Sequence, residues 1–167
     1  MSSERPLIKL IPAGLDLFLD RLAWMGILFI WIYTIIHYSQ LPDTIPSQYN
    51  FKGEADNYGT KKIMWILPGI LTVLVIGLTI LNRYPQVFNY PVKITEENAL
   101  RQYTMATRLI RFLKLTIVVL IIFVDIKMTK SVHDNQSNLG SWFLPAFIAG
   151  IFILLMIYLY EAAIKKK

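Results

Sequence analysis

Four long apolar runs, separated by polar and turn-rich connections, dominate the pattern of the chain. Each run is about 17–20 residues long, and a helix of that length crosses a hydrocarbon core of about 30 Å. The runs lack the alternation of apolar and polar positions that membrane barrel strands have. Because a helix satisfies its own backbone hydrogen bonds in lipid, we predict transmembrane helices over residues 22–38, 63–81, 109–126 and 142–160.

The runs predict an all-α integral membrane protein, a four-helix transmembrane bundle that forms one membrane domain over residues 1–167. Hydrophobic residues make up 55% of the chain, which is more than a soluble domain of this size normally carries. A soluble bundle with very apolar helices is the less favoured alternative. A cleaved signal peptide does not account for the first run, which is too long and lies too far from the N-terminus.

The basic residues predict the orientation of the helices. Twelve of the 17 Lys and Arg residues lie in the N-terminal segment, in the connection 82–108 with the start of the third run, and in the C-terminal tail. Cytoplasmic loops carry the excess of Lys and Arg in membrane proteins. We therefore expect both termini and the 82–108 connection in the cytoplasm, and the connections 41–62 and 127–141 outside.

The first connection reads LPDTIPSQYNFKGEADNYGTKK over residues 41–62 and is rich in turn formers. Pro42 and Pro46 favour an extended backbone, and the β-branched and aromatic residues near them favour a short strand. Gly53 and Gly59 can adopt the positive φ angles that tight turns need. We expect a short extracytoplasmic β-like flap between helices 1 and 2, lying over the outer mouth of the bundle.

The same stretch resembles the signature of the membrane family called domain of unknown function 1648 (DUF1648). Gln48 stands where the family usually has His, which argues against a role that needs a titrating imidazole there. The later stretch NYPVKITEENALRQY also resembles a segment that follows this domain in related proteins. The positions that match the family pattern are Pro42, Ile45, Pro46, Asn50, Gly53, Glu54, Asp56, Tyr58, Gly59, Lys61 and Pro68.

The resemblance implies a function, because the domain also occurs in the immunity proteins of the bacterial sporulation-delay toxin system. It implies a multi-pass protein of the bacterial cytoplasmic (inner) membrane that is tied to peptide-toxin immunity or to signalling. The alternative is a structural role, in which Asn and Asp side chains cap the turns of the flap and Glu54 pairs with a lysine. The candidate recognition residues are Gln48, Asn50, Glu54, Asp56, Tyr58 and Lys61.

Three polar side chains, His37, Lys114 and Asp125, lie within or beside the predicted spans. Ionisable groups inside a membrane are costly and mark candidate functional sites. Asp125 falls near the outer boundary, and we expect it either to contact His37 or Lys61 or to reach the interface. We expect Lys114 to extend toward the cytoplasmic interface, within reach of Glu161.

The connection 82–108 contains a predicted helix start within the sequence KITEENALRQY. Thr95 can cap the helix, Ile94 can pack on Ala99, and the acidic residues that follow Thr95 complement the helix dipole. We expect this helix to continue into the third span. A candidate cytoplasmic docking site for a partner comprises Tyr90, Pro91, Thr95, Glu96, Glu97 and Asn98.

The chain carries no enzyme motif and few groups for metal chemistry. It has no cysteine and two histidines, which leaves little for a zinc site, and the oxygen ligands of the flap lack EF-hand spacing. We expect no enzyme activity, cofactor, metal or nucleic-acid partner. The candidate functions are a non-enzymatic binding, immunity or sensing module, a small oligomeric transporter or channel subunit, and an accessory subunit of a membrane complex. The expected partners are the lipid bilayer, a peptide toxin or another membrane protein, and a second copy of the chain.

Overall fold

In the part of the chain that the structure describes, residues 5–134 and 140–164, four helices carry a two-stranded hairpin at one end. This computed structural model places 3₁₀ turns at Lys61–Trp65 and Pro85–Val87. The strands β1 (Thr44–Tyr49) and β2 (Ala55–Thr60) pair antiparallel, so the expected flap is a β-hairpin. The helices are α1 (Gly14–Tyr38), α2 (Ile66–Leu81), α3 (Glu96–Asp134) and α4 (Phe143–Ile164).

The central element is α3, because it packs against α1, α2 and α4. Gly26 brings α1 and α3 into close contact, since a Cβ built there would lie 2.3 Å from Cγ1 of Val118. We call the end that carries the hairpin the hairpin end, and the opposite end, where α1 begins and α4 ends, the terminal end. The apolar interior between α1, α2 and α3 consists of Ala23, Ile27, Ile30, Leu71, Val75 and Val118.

Within the described part of the chain, three helical stretches are long and apolar enough to cross a membrane: Gly14–Tyr38, Lys61–Leu81 and Phe143–Ala163. They correspond to the first, second and fourth predicted spans. The third predicted span, 109–126, lies inside α3, a helix of 39 residues. This stretch of α3 carries charged side chains. As expected, α3 starts directly after Thr95 and runs on through the predicted span.

The helices α1 and α3 extend well beyond the predicted spans, and α4 runs four residues past its predicted end, to Ile164. The first turns of α1, from Gly14 onward, carry acidic side chains that bind α3. At its other end α3 continues to Asp134, so residues 127–134 of the predicted third connection are helical. Met128 and Thr129 are buried there. The remainder of that connection up to residue 139, and the three C-terminal lysines, lie outside the described residues.

Candidate functional site

The stretch 41–62 folds into the hairpin, and its inner face packs on the helices. Pro46 is buried, and a Cβ built at Gly59 would lie 3.2 Å from the Cβ of Ser47. A buried apolar cluster joins the hairpin to the 3₁₀ turn before α2 and to α3, and its members are Leu41, Ile45, Met64 and Met128. The hairpin is therefore part of the folded core at this end of the bundle.

Asn50 holds the turn between the two strands. Its Oδ1 accepts hydrogen bonds from the backbone N–H groups of Lys52 (2.9 Å) and Glu54 (3.0 Å), and its Nδ2 donates to Glu54 Oε2 at 3.0 Å. Gly53 has a φ of 79°, a conformation that glycine adopts at little cost, and its N–H donates to the Asn50 carbonyl at 2.9 Å. The side chains of Asn50 and Glu54 thus stabilise the turn. The structural alternative is therefore right that an Asn side chain holds the turn, but Glu54 pairs with Asn50 and, among the described residues, not with a lysine.

Lys61 joins the end of the hairpin to its start. Its Nζ donates to the Leu41 carbonyl at 3.2 Å and lies 3.2 Å from Asp43 Oδ1. The ammonium group is also 5.5 Å from the centre of the Tyr38 ring, a distance at which cations are attracted to aromatic faces. The considered contact between Lys61 and Asp125 is not formed, because Lys61 is engaged within the hairpin.

The outer face of the hairpin is exposed and mixes aromatic with polar side chains. Phe51 at the turn is 88% exposed and Tyr58 on β2 is 57% exposed. Also exposed are Gln48, Asp56 and Pro42, the last of which precedes β1. Among the described residues, no group of three or more His, Cys, Asp and Glu side chains could hold a metal ion.

Asp125 of α3 is fully buried at the hairpin end. Thr34 Oγ1 donates to its Oδ2 at 3.3 Å, whereas its Oδ1 is buried without a hydrogen-bond partner in the described chain. His37 Nδ1 lies 2.8 Å from the Tyr33 carbonyl, and within the described residues no hydrogen bond or ion pair joins His37 to Asp125. The carboxyl group does not reach the interface, because α1 and α3 enclose it.

The terminal end contains a network of charged side chains that the sequence analysis did not identify. Arg108 Nε donates to Asp16 Oδ1 at 3.0 Å, and Arg111 Nε donates to Asp20 Oδ2 at 3.0 Å. Lys114 Nζ donates to Asp20 Oδ1. The two acids come from α1 and the three cations from α3, so the network fixes these helices to each other.

Lys114 lies at the centre of this network and has no exposed surface. The prediction that it extends to the interface is therefore corrected. Its Nζ also donates to Thr79 Oγ1 of α2 at 3.2 Å, so one ammonium group links three helices. It forms no ion pair with Glu161, whose backbone carbonyl accepts a hydrogen bond from Arg101 at 2.7 Å. The sequence signal for this network was the spacing of three or four residues between its members on each helix, because side chains at that spacing share a helix face.

The predicted docking segment is partly used within the chain. The Tyr90 hydroxyl donates to the Pro85 carbonyl at 2.8 Å, and its ring lies 5.5 Å from that of Tyr103. Burial raises the pKa of Tyr90 and of Tyr103, so both hydroxyls stay protonated donors. Asn98 Oδ1 accepts a hydrogen bond from the Thr95 N–H at 2.9 Å and so caps α3. The residues of the segment that remain exposed are Pro91, Thr95, Glu96 and Glu97.

A family model matches the region that contains the hairpin. Residues 25–72, from the middle of α1 into α2, match the family described as Domain of unknown function (DUF1648). The resemblance to DUF1648 is confirmed. The DUF1648 region includes the whole hairpin and its turn, but neither the acids of the terminal network nor α3.

A relative of the chain comes from the archaeon Archaeoglobus fulgidus and is described as an uncharacterized protein. It is 36% identical over 91 residues. The match covers 46% of this chain and 50% of the relative, so the chain spans about half the length of the curated relative it matches. No solved structure matches the chain.

Proposed function

We propose that the chain is a multi-pass membrane protein with four spans, in which residues 109–126 of α3 form the third. No residue is buried in the most apolar stretch of α4. On α1, large apolar side chains such as Met25 (63%) and Leu28 (61%) are exposed. Lipid accommodates such a surface. The charged side chains of α3 that lie in the span face inward, and Lys114 and Asp125 have no exposed surface. The few charged side chains that occur within membrane helices almost always face the bundle interior.

The same proposal places the terminal end in the cytoplasm and the hairpin outside the cell. The described part of the N-terminal segment and the connection 82–108 lie at the terminal end, where α4 also ends at Ile164. Most of the basic residues belong to these stretches or follow α4 in the sequence. The positive-inside rule therefore supports this orientation. The membrane would be the bacterial cytoplasmic membrane if the chain follows the resemblance to the immunity proteins.

The function that the geometry supports best is non-enzymatic recognition of a peptide or protein partner by the hairpin, as in an immunity or sensing protein. One observation carries this proposal: the buried cluster orders the hairpin, while Phe51, Asp56 and Tyr58 remain exposed. A surface that is already ordered loses little conformational entropy on binding. Exposed aromatic side chains are frequent anchors in protein interfaces.

The experiment compares matched substitutions at the two ends of the molecule. A bacterium sensitive to a panel of membrane-active peptides expresses the unaltered chain, the variant Asp56→Ala/Tyr58→Ala, or the control Glu161→Ala/Tyr84→Ala. The control removes one exposed acid and one tyrosine of similar exposure, 52% against 57%, from the terminal end.

We expect the unaltered chain and the control to protect the cells from at least one peptide. The hairpin variant should lose that protection at an equal level of protein in the membrane. Protection that survives Asp56→Ala/Tyr58→Ala contradicts the proposal. So does an unaltered chain that protects against none of the peptides.

A second candidate function, an ion or proton pathway in a small oligomeric transporter or channel subunit, has one observation in its favour. Asp125 is buried between α1 and α3 with one carboxylate oxygen unpartnered in the described chain, and buried carboxylates mark many ion and proton relays. Proton or monovalent-cation flux into liposomes tests this candidate. Flux that Asp125→Asn abolishes supports it, and the absence of any flux above that of empty liposomes removes it.

A further inference from the structure

A cavity of about 410 Å³ opens at the terminal end. Its walls are the N-terminal residues 8–12, the first turns of α1, the end of α2 and one face of α3. Neither strand of the hairpin contributes to it, so it is separate from the proposed recognition surface. The charged and amide side chains that line it are Lys9, Asp16, Asp20, Asn82, Arg83 and Arg111.

The N-terminal wall is held in place by hydrogen bonds to the rest of the chain. The guanidinium group of Arg5 donates to the carbonyls of Gln86, at 2.9 Å, and Phe88. The Tyr103 hydroxyl of α3 donates to the Pro6 carbonyl at 3.1 Å. These contacts hold the segment both to the residues that follow α2 and to the start of α3. The N-terminal wall of the cavity is therefore fixed in place.

Successive residues of the N-terminal segment point alternately toward the protein and toward the outside. Ile8 and Leu10 pack against the apolar cluster around the start of α3, whereas Leu7 and Ile11 are 83% and 89% exposed. Lys9 lies between these two exposed apolar residues. Apolar side chains that flank a lysine are typical of segments lying at the lipid headgroup layer. We therefore place the opening of the cavity at headgroup depth.

The charges around the cavity are unbalanced in favour of cations. Asp16 and Asp20 are already paired with the cations of the α3 network. Lys9 and Arg83 also line the cavity, and neither has an ion-pair partner among the described residues. A guanidinium group has five N–H donors, so Arg111 keeps donors beyond the Nε–H that binds Asp20. The cavity can thus accept an anion.

Asn82 supplies an acceptor to the same cavity. Its Nδ2 donates to the Thr107 carbonyl at 3.2 Å, which leaves its buried Oδ1 without a partner in the described chain. A buried oxygen that lacks a donor is unfavourable. A hydroxyl group on a bound ligand would satisfy it.

We propose that this cavity binds a phosphate-bearing group at the cytoplasmic surface of the membrane. The source is either the headgroup of an anionic phospholipid or a soluble phosphate ester, and both present the same chemistry. Lys9 and Arg83 bind the phosphate oxygens by charge-assisted hydrogen bonds, and Asn82 Oδ1 accepts from a neighbouring hydroxyl. Basic pockets between membrane helices on the cytoplasmic side bind lipid headgroups in other proteins. The inference goes beyond the hairpin function and does not depend on it.

The test uses the purified full chain in a neutral detergent, with native mass spectrometry to count bound molecules and to follow a titration. The probes are short-chain phosphatidylglycerol, phosphatidylcholine of the same chain length, and glycerol phosphate. The variant Lys9→Gln/Arg83→Gln removes the two cations without ion-pair partners. The control Arg21→Gln/Lys93→Gln removes the same charge from exposed positions that do not line the cavity.

We expect one phosphatidylglycerol per chain, bound more tightly than phosphatidylcholine, whose choline cation offsets the phosphate charge. Because each surface cation adds about 1 kcal/mol to anionic lipid binding, the cavity variant should bind about tenfold or more weakly and the control nearly as well as the unaltered chain. If glycerol phosphate displaces the lipid at similar concentration, the ligand is a soluble phosphate ester. Equal binding of the two lipids, or equal loss in both double variants, overturns the proposal.

Discussion

The two ends of the bundle bury acidic side chains in opposite ways. At the terminal end Asp16 and Asp20 face three cations of α3, and each carboxylate accepts at least one charge-assisted hydrogen bond. At the hairpin end Asp125 is fully buried, whereas the Asp20 side chain is 28% exposed. In the described chain the one side-chain partner of Asp125 is the Thr34 hydroxyl, and its second oxygen has none.

The difference separates a structural arrangement from a functional candidate. A buried acid that is fully paired holds two helices in register, and removing its partner leaves an uncompensated charge. A buried acid with an unfilled hydrogen-bonding site has already lost that compensation, so its removal costs the fold little. The terminal network is therefore the main electrostatic contact between α1 and α3. Asp125 is the acid whose unpartnered oxygen could take up a proton or a ligand.

The largest expected effect comes from removing the cation at the centre of the network. Lys114→Met removes one of the two cations that contact Asp20, a carboxylate that is 28% exposed and keeps its contact with Arg111. The loss of a hydrogen bond between charged groups costs about 1.5–3 kcal/mol. The free energy of unfolding, measured in detergent micelles titrated with a denaturing detergent, should fall by that amount.

A double-mutant cycle separates pairing from packing at this position. Asp20→Asn combined with Lys114→Met should be clearly more stable than the sum of the two single losses predicts, because neither charge is left alone. Strict additivity of the two substitutions would mean that Lys114 stabilises the fold through its packing and not through Asp20.

A smaller effect is expected at the close contact that connects the two ends. Gly26→Ala would place a Cβ 2.3 Å from Cγ1 of Val118, and overpacking of this kind costs about 1–3 kcal/mol. Gly69→Ala is the matched control, because nothing lies within 4 Å of a Cβ at that position. Val118→Ala should restore much of the stability lost in Gly26→Ala. A Gly26→Ala protein as stable as the control would mean that α1 and α3 are farther apart.

The sequence predicts the hairpin end better than the terminal end, and the reason is local chemistry. The prolines of the hairpin and Gly53 act on their own backbone, so Gly53 could be assigned to a turn without knowledge of any neighbour. The same expectation was wrong for Gly59, which lies within β2 without a positive φ and packs closely on Ser47. The start of α3 also depends on residues close in sequence, since Ile94 and Ala99 share a buried cluster as expected. Apolar run length was sufficient for the three helices that are long and apolar enough to cross a membrane.

The terminal network could not be predicted in the same way, because its partners are distant in sequence. Arg108 lies 92 residues from Asp16, and no local rule brings these two residues together. The cavity depends on the same long-range packing and therefore had no sequence signal of its own.

At the hairpin end the turn offers a moderate and local effect. Asn50→Ala removes the acceptor for the N–H groups of Lys52 and Glu54, and a loss of about 1–2 kcal/mol is expected from these exposed hydrogen bonds. Hydrogen exchange of the Lys52 and Glu54 amides should accelerate, while amides in α1 stay protected. Gln48→Ala, on the exposed face of β1, is the control and should leave both amides unchanged. Unchanged exchange in Asn50→Ala would show that the turn does not depend on this side chain.

The smallest effect on stability is expected where the acid is buried without a charged partner. Asp125→Asn keeps the shape of the side chain and the contact with Thr34, and it removes a carboxyl group that α1 and α3 have desolvated without pairing. The free energy of unfolding should therefore change by less than about 1 kcal/mol, whereas Asp20→Asn should be clearly destabilising because it strands Lys114. If Asp125→Asn proves as costly as Asp20→Asn, Asp125 has a structural partner, and the contrast between the two ends is one of degree.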